Sequence, residues 1–281
     1  MDIVTFRTFI EAAATGSFSA AAQRLNSSPS AVTERIKQLE YRLGATLFDR
    51  GKTGCKLTSA GERFLGYAKQ MMIAWDHGRE EVSLPDQITG TCTIGCQYAL
   101  WDQLVRPWFQ SIRSDFPQIA FRASTGSPAR LNRELIDGVL DLAILYDPIH
   151  HRDLESAVLF DDQLLLVTAD PSCEWQEKFV RLRWGQAVDS EVLSSLGEIP
   201  KSDLILDLGI QSVNWLIAEG SSGYVPENLC RHEISAGRLF SVPDVPTFQF
   251  AAYISWRTDI DPSSVEPVIA SAKESIFKKT N

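Results

Sequence analysis

Residues 16–44 read GSFSAAAQRLNSSPSAVTERIKQLEYRLG, and this stretch decides the fold of the first part of the chain. Ser17 and Ser19 can each cap a short helix over residues 20–25, and Ser28 can cap the longer helix that follows. Apolar residues at three- and four-residue steps over 3–14 predict a further helix in front of them. Three helices with a tight turn between the last two are typical of a helix-turn-helix.

The longer helix has one apolar face and one polar face. Its predicted buried stripe is Ala31, Val32, Ile36, Leu39 and Leu43, and its opposite face carries Ser30, Thr33, Glu34, Lys37 and Gln38. Hydroxyl, amide and ammonium groups on an exposed helix suit base edges and phosphate oxygens, so this pattern indicates a recognition helix. From the helix pattern alone, a three-helix unit whose polar face meets only water is the alternative.

A glycine-rich basic segment, LFDRGKTGCKLT, follows at 47–58. Two glycines and three cations between apolar residues predict a two-stranded wing whose tip lies on the DNA backbone, where its role is electrostatic. The net charge of −9 is unevenly spread. Residues 1–80 carry 11 Lys/Arg and 8 Asp/Glu, a net +3, and residues 81–281 carry a net −12. The acidity therefore lies downstream of the predicted DNA-binding unit.

The pattern F-x-x-x-x-x-x-G-S-F-S-A-A-A-Q-R-L…S-A-V-T-x-x-I-K-Q-L-E-x-x-L-G…L-F-D-R…L-T-S-A-G, within residues 3–65, resembles the LysR-type transcriptional regulators. The resemblance implies an α/β multidomain fold: an N-terminal winged helix-turn-helix, a linker helix, and a C-terminal effector-binding domain of two α/β subdomains, built like a periplasmic binding protein. It implies a homodimer or homotetramer that binds double-stranded DNA, with RNA polymerase as a further candidate partner. The residues expected at the DNA are Ser28, Ser30, Thr33, Glu34, Lys37, Arg50, Lys52 and Thr58.

Two positions depart from the family's usual pattern. Pro29 stands where a glutamine is usual, and its side chain has no hydrogen-bonding group with which to contact a base. Glu34 stands where a basic residue is common; its carboxylate can accept from a cytosine amino group or be repelled by phosphate. We therefore expect the fold and docking to be shared with the family and the base preference to differ.

A helical segment connects the two parts of the chain. Its apolar stripe, with Leu65 and Met72 beside it, is the predicted dimerisation surface, and consists of Phe64, Ala68, Met71 and Trp75. The alternative is that this stripe packs on its own domain. The predicted domain limits are 1–58 for the winged helix, 59–88 for the linker, and 89–281 for the effector domain, with subdomain I at 89–165 and 257–281 and subdomain II at 166–256.

Alternating strand and helix patterns over 91–146 predict α/β packing with a buried, parallel sheet. Residues 164–168 are expected to cross into a second subdomain, and residues 250–256 to return, before a closing helix at 262–277. The segment 219–226, EGSSGYVP, is expected to form a turn.

This half resembles the LysR effector domain more loosely, mainly through the motifs DGVLDLAIL and AEGSSGYVPENL. Two further motifs, RLRWG at 181–185 and YISW at 253–256, resemble a LysR subgroup that includes a flagellar-operon repressor. Ligands in this family lie between the subdomains, at strand ends and helix N-termini, which suit organic anions. A ligand carboxylate would need a nearby arginine, for which Arg122 and Arg130 are the candidates. The predicted effector residues are Gln97, Tyr98, Ser124, Thr125, Ser127 and Thr168.

The sequence gives less support to other classes of protein. The sequence shows no nucleophile elbow, glycine-rich phosphate loop or paired metal-ligand spacing, so we expect no enzyme, no metal and no cofactor, and treat His150 and His151 as an exposed loop pair. No membrane span or signal peptide is evident, and five scattered cysteines fit a reducing cytoplasm. A redox-responsive or ligand-independent regulator remains the alternative. Cys92 and Cys96 are expected on the same face of one strand, but about 13 Å apart, which is too far for a disulfide bond without refolding. A binding protein without a DNA role is the last competitor.

Overall fold

The computed structural model describes residues 2–51, 54–195, 202–260 and 262–280. The chain forms two compact units, Met1–Pro85 and Asp86–Asn281, and each is described by itself.

The first unit is a helical bundle with a two-stranded hairpin. Its elements are α1 (Ile3–Thr15), α2 (Phe18–Arg24), α3 (Pro29–Leu43), β1 (Phe48–Gly51), β2 (Gly54–Leu57) and α4 (Ser59–Glu81). The predicted caps are present: Ser17 accepts from the backbone N–H of Ala20, and Ser28 accepts from that of Ala31. The longer helix α3 ends at Gly44, whose φ of 63° is the left-handed conformation that glycine adopts without strain.

Aromatic rings fill the core of the first unit. The Phe9 ring centroid lies 5.4 Å from those of Phe48 and Phe64, which joins α1 to the hairpin and to α4. From α3, Val32, Ile36 and Leu39 are fully buried, as predicted, but Leu43 is 39% exposed. The prediction for Leu43 is wrong because this residue lies in the last turn of α3, beyond the buried residues.

The second unit is an α/β structure built on a seven-stranded mixed sheet. Its strands are β3 (Gly90–Gln97), β4 (Ile119–Gly126), β5 (Leu142–Leu145), β6 (Leu154–Thr168), β9 (Ser222–Pro226), β10 (Phe240–Ser241) and β11 (Phe248–Arg257); β7 (Arg181–Leu182) and β8 (Ile205–Leu206) form a separate parallel pair. The helices are α5 (Tyr98–Leu100), a π-helical segment (Trp101–Val105), α6 (Arg106–Asp115), α7 (Pro128–Asp137), α8 (Gln186–Ser195), α9 (Ile210–Glu219), α10 (Glu227–Ser235) and α11 (Pro262–Thr280), with a short 3₁₀ turn (Trp175–Lys178).

Two long antiparallel strands, β6 and β11, run through both halves of this unit. They pair with each other from Phe248↔Leu164 to Arg257↔Leu154. The C-terminal end of β11 pairs with β5, which is parallel to β3, whereas the C-terminal end of β6 pairs with β9. We call the half built on β3, β4 and β5 the first lobe, and the half that contains β7 to β10 the second lobe.

Several local expectations change in the second lobe. The segment expected to form a turn instead contains β9, which is buried along its whole length and pairs with β6. The crossing segments are also longer than expected, because β6 begins at Leu154 and β11 begins at Phe248. The sequence did not reveal these limits because each long strand changes its partners along its length.

Candidate nucleic-acid interface and ligand cleft

The outer face of α3 carries polar side chains. Ser30, Glu34 and Lys37 are exposed, and Thr33 is half-buried. The Glu34 carboxylate accepts a hydrogen bond from the amide of Gln38, one helical turn further on, at 3.0 Å. This exposed ridge offers hydroxyl, amide, carboxylate and ammonium groups, which together can contact both base edges and phosphates.

Ser28 lies at the start of α3, and its hydroxyl has a structural role. It accepts from the backbone N–H of Ala31 at 3.2 Å and lies 3.0 Å from the Ser30 hydroxyl. Both hydroxyl groups lie at the exposed N-terminal end of the helix and can form further hydrogen bonds there. The backbone N–H groups at this end also favour an anion.

The hairpin is joined to α3 by Glu40, a residue that the sequence analysis did not select. One carboxylate oxygen accepts from the backbone N–H groups of Leu47 and Phe48, at 2.8 and 3.1 Å. The other lies 3.5 Å from the Arg50 guanidinium, which also stacks over the Phe18 ring at 4.8 Å. Arg50 is therefore held in a fixed place beside α3, and its exposed edge remains a candidate phosphate contact.

Two other predicted hairpin contacts have different outcomes. The Thr58 hydroxyl donates to the carbonyl of Thr46 at 2.7 Å and accepts from the N–H of Gly61 at 3.0 Å, so it caps α4. Its hydrogen and one lone pair are thus already engaged in the fold, and its role as a DNA contact stays a prediction. Lys52 lies outside the described residues, and its role stays a prediction.

The apolar stripe of α4 is divided between two environments. Ala68 is completely buried, and the Phe64 ring packs against Phe6 and Phe9 of α1. Ala68 thus serves the core of its own unit, which corrects its assignment to a partner helix. Phe64 and Met71 are only half-buried, and their part in dimerisation stays a prediction. Trp75 is 51% exposed and the nearby Tyr67 is 65% exposed, so an apolar surface does remain on α4.

Two neighbouring cavities, each of about 710 Å³, open in the second unit at the carboxyl end of β5. Asp147 and Ile149 line both of them. The cavity that we call the arginine cleft lies between the start of α7 in the first lobe and the segment around β7 and α8 in the second. The other, which we call the loop cavity, is lined by the segment 146–152 and by residues of β6, β11 and α8.

Gln97 lies at the end of β3, as expected, but its side chain is buried and joins the two lobes. Its amide nitrogen donates to the carbonyl of Trp184 at 2.9 Å, and its amide oxygen accepts from the N–H of Tyr146 at 2.9 Å. The expected role as an effector ligand is corrected, because both ends of the amide are engaged and the residue is only 5% exposed.

Among the other predicted effector residues, Ser127 lines the arginine cleft, where its hydroxyl caps α7. Tyr98, Ser124, Thr125 and Thr168 are not part of the described lining of either large cavity. Ser124 and Thr125 belong to β4, which is longer than expected, and the Thr168 hydroxyl bonds to the backbone of Asp170. These four lie outside the described lining of the two large cavities, and their role as effector ligands stays a prediction.

Comparison with known proteins settles the family. The profile of the bacterial regulatory helix-turn-helix protein, lysR family, matches residues 3–62, and that of the LysR substrate binding domain matches residues 85–276. The chain belongs to the LysR family. It is thus a DNA-binding transcriptional regulator with an effector-binding domain, and the resemblance stated from the sequence is confirmed.

Individual relatives extend this finding over the whole chain. The HTH-type transcriptional regulator HdfR of Yersinia enterocolitica is 33% identical over 199 residues, covering 66% of this chain and 67% of its own. HdfR of Salmonella newport is 29% identical over 271 residues, covering 94% and 95%. The structure of full-length CbnR with its target DNA has a TM-score of 0.63 at 18% identity, covering 98% and 99%, and so shares the fold.

The cysteines of this LysR regulator are mostly inside the fold. Cys92, Cys96 and Cys230 are buried, and burial raises the pKa of each thiol, that of Cys230 to about 12. A higher pKa keeps the thiol protonated, and the thiol is a much weaker nucleophile than the thiolate. Cys173 is partly exposed, and its thiol lies 3.3 Å from the Asp170 carboxylate.

Neither a metal site nor a membrane-spanning helix is found in the described part of the chain. Within the described ranges, no group of three or more His, Cys, Asp or Glu side chains is placed to hold a metal ion. No helix in that same part of the chain combines the length and the apolar character that a membrane crossing needs.

Proposed function

We propose that this LysR regulator contacts its operator with the exposed face of α3, and that a small molecule bound in the arginine cleft modulates this binding. The observation that carries the first part is the exposed row of Ser30, Glu34 and Lys37 beside an Arg50 held in place by Glu40. For the second part, the cleft has a volume typical of ligand sites and lies between two lobes joined by two long strands. Membership of a family of transcriptional regulators supports a role in regulation without catalysis, in the cytoplasm.

Replacing Lys37 or Thr33 by alanine should weaken operator binding about tenfold each, because each change removes a contact worth about 1–3 kcal/mol. The measurement is a quantitative footprint or a fluorescence titration at matched salt. If Lys37 contacts a phosphate, its replacement should also lower the slope of log affinity against log salt by about one unit.

The control for these variants is Arg106→Ala, which removes an exposed cation of the second unit that pairs with Asp102. Operator affinity equal to that of the wild type in both Thr33→Ala and Lys37→Ala, at unchanged stability, would remove the assignment of α3 as the reading helix.

Self-association as a dimer or tetramer is also part of the proposal, through the exposed apolar surface of α4. Two α3 helices about 34 Å apart would reach successive major grooves on one side of the DNA. Trp75→Glu should therefore weaken the dimer at least about tenfold, since a carboxylate replaces a large apolar contact. Sedimentation velocity over a concentration series measures this effect.

The matched control is Tyr41→Glu, since Tyr41 is an aromatic side chain of the same unit that is 88% exposed. It should leave the sedimentation profile unchanged. A Trp75→Glu protein that remains as fully associated as the wild type would exclude this part of α4 from the interface.

A redox-responsive regulator is the second candidate, and the thiols weigh against it. The two cysteines of β3 are buried with raised pKa values, so oxidation at that position would require the first lobe to open. Peroxide should leave the operator footprint of the wild-type protein unchanged, and a peroxide response that disappears in Cys92→Ser or Cys96→Ser would favour the redox alternative. RNA polymerase remains a further proposed partner.

A further inference from the structure

The arginine cleft has positive side chains on both of its walls. Arg133 of α7 belongs to the first lobe, whereas Arg181 and Arg183, in and just after β7, belong to the second. Arg181 and Arg183 alternate along an extended segment, so both side chains project to the same side of it. In the described parts of the chain, none of the three guanidinium groups forms an ion pair with a carboxylate.

The two arginines that the sequence suggested for a ligand carboxylate are not part of the described lining of this cleft. Arg130 bonds to Glu134 at 2.7 Å, one turn along α7, and Arg122 lies on β4. The sequence missed Arg181 and Arg183 because β7, which carries Arg181 and ends just before Arg183, is only two residues long and has no periodic pattern to reveal it.

The carboxylates of the cleft are largely engaged by the backbone. Asp147 accepts from the N–H of Gln186 at 2.7 Å, and Asp189 accepts from the N–H of Trp184 at 3.1 Å. Burial raises the pKa of Asp189, while hydrogen bonds from the backbone of Trp184 and Gly185 and the positive charges of Arg183 and Arg181 act in the opposite direction. Asp207 is exposed and is the remaining carboxylate in the described lining.

The first wall also contains the start of α7. Ser127 caps this ten-residue helix, and Ser127, Pro128 and Ala129 all line the cleft. The N-terminal end of a helix carries a partial positive charge, which adds to that of Arg133 on the same wall. An anion between the walls would thus meet positive groups on both sides, beside three carboxylates that keep their charge, those of Asp147, Asp189 and Asp207. The backbone N–H groups bonded to Asp147 and Asp189 direct those two carboxylates toward the backbone.

We propose that the arginine cleft binds a small molecule with two acidic groups, each a carboxylate or a phosphate. This inference rests on the proposed function, in which the cleft holds the effector. One acidic group is held by Arg133 together with the start of α7, and the other by Arg181 and Arg183. Guanidinium groups bind carboxylate and phosphate oxygens through paired N–H donors, and a ligand held at both ends would join the two lobes.

The direct test is calorimetry with the full-length protein and defined probes. Succinate, glutarate and adipate represent dicarboxylates of increasing length, and 3-phosphoglycerate represents a phosphate with a carboxylate. Butyrate and inorganic phosphate carry a single acidic group. We expect at least one two-acid probe to bind about tenfold or more tightly than either single-acid probe, because a second charge-assisted contact is gained. If a dicarboxylate binds best, both acidic groups of the ligand are carboxylates. If 3-phosphoglycerate binds best, one of the two is a phosphate.

Variants show whether the binding occurs in this cleft. Arg181→Ala combined with Arg183→Ala should weaken binding of the best probe by about tenfold or more, as should Arg133→Ala alone. The matched control is Arg152→Ala, since Arg152 is exposed, lines the loop cavity and pairs with Asp153. It should leave the affinity unchanged. Thermal denaturation of each variant checks that the fold is retained.

Three results would overturn the proposal: no two-acid probe binds, single-acid probes bind equally well, or the arginine variants bind like the wild type. A footprint with and without the best probe separates this proposal from the proposed function. Arginine-dependent binding that leaves the footprint unchanged supports the two-acid site but contradicts its regulatory role. A probe with a single acidic group that binds better and changes the footprint would support the role and overturn the two-acid inference.

Discussion

Glu40→Ala is expected to destabilise the winged helix-turn-helix by about 3 kcal/mol, because two buried N–H groups lose a charged acceptor. These N–H groups belong to Leu47 and Phe48, which are 1% and 2% exposed. Since the same carboxylate holds Arg50, the hairpin also loses its fixed position beside α3. Operator affinity should fall together with stability, and both are measured on the same preparation, by denaturant unfolding and by footprint.

Glu40→Gln provides the control. The glutamine keeps one oxygen that can accept from Leu47 and Phe48, so about 1 kcal/mol should be lost with the charge alone. The free energies of unfolding of the alanine and glutamine variants should therefore differ. If they were equally stable, the hydrogen bonds from the two N–H groups would not be what joins the hairpin to α3.

The first unit was predictable from its sequence because its signals are local. Ser17 and Ser28 cap helices only a few residues away, and Gly44 ends α3 through its own backbone conformation. The role of Glu40 was not predictable in this way. Its partners are seven to ten residues further along, and the contact exists only once the hairpin has folded back on α3.

The ligand cleft was less predictable because it depends on the way two lobes meet. Gln97 was correctly expected at the end of β3, but its amide is used up because Trp184 approaches from the other lobe. Ser127 was found because the end of a parallel strand followed by a helix cap is a local pattern. In the second lobe, Arg181 lies on a strand too short to show any periodicity, and Arg183 lies just after it. The position of both follows from hydrogen bonding of this segment to β8.

Gln97→Leu is expected to lower the free energy of unfolding of the effector domain by about 3 kcal/mol, because two buried polar groups lose their partners. These groups are the N–H of Tyr146 and the carbonyl of Trp184, residues that are 5% and 1% exposed. Leucine has a similar volume to glutamine, so the loss is mainly one of hydrogen bonding. For a domain of this size, the melting temperature should fall by about 6–12 °C.

The same variant also tests whether Gln97 holds the lobes together. Since Trp184 belongs to the second lobe and Tyr146 to the first, hydrogen exchange at the Tyr146 amide should become faster in Gln97→Leu than in Gln249→Leu. Gln249 is an exposed glutamine on β11 whose amide bonds to that of Gln163, so its replacement is the matched control. Unchanged exchange at Tyr146, together with an unchanged melting temperature, would mean that another contact positions the lobes. A large change confined to Gln97→Leu would place the joint at the ends of β3 and β5, where the arginine cleft begins.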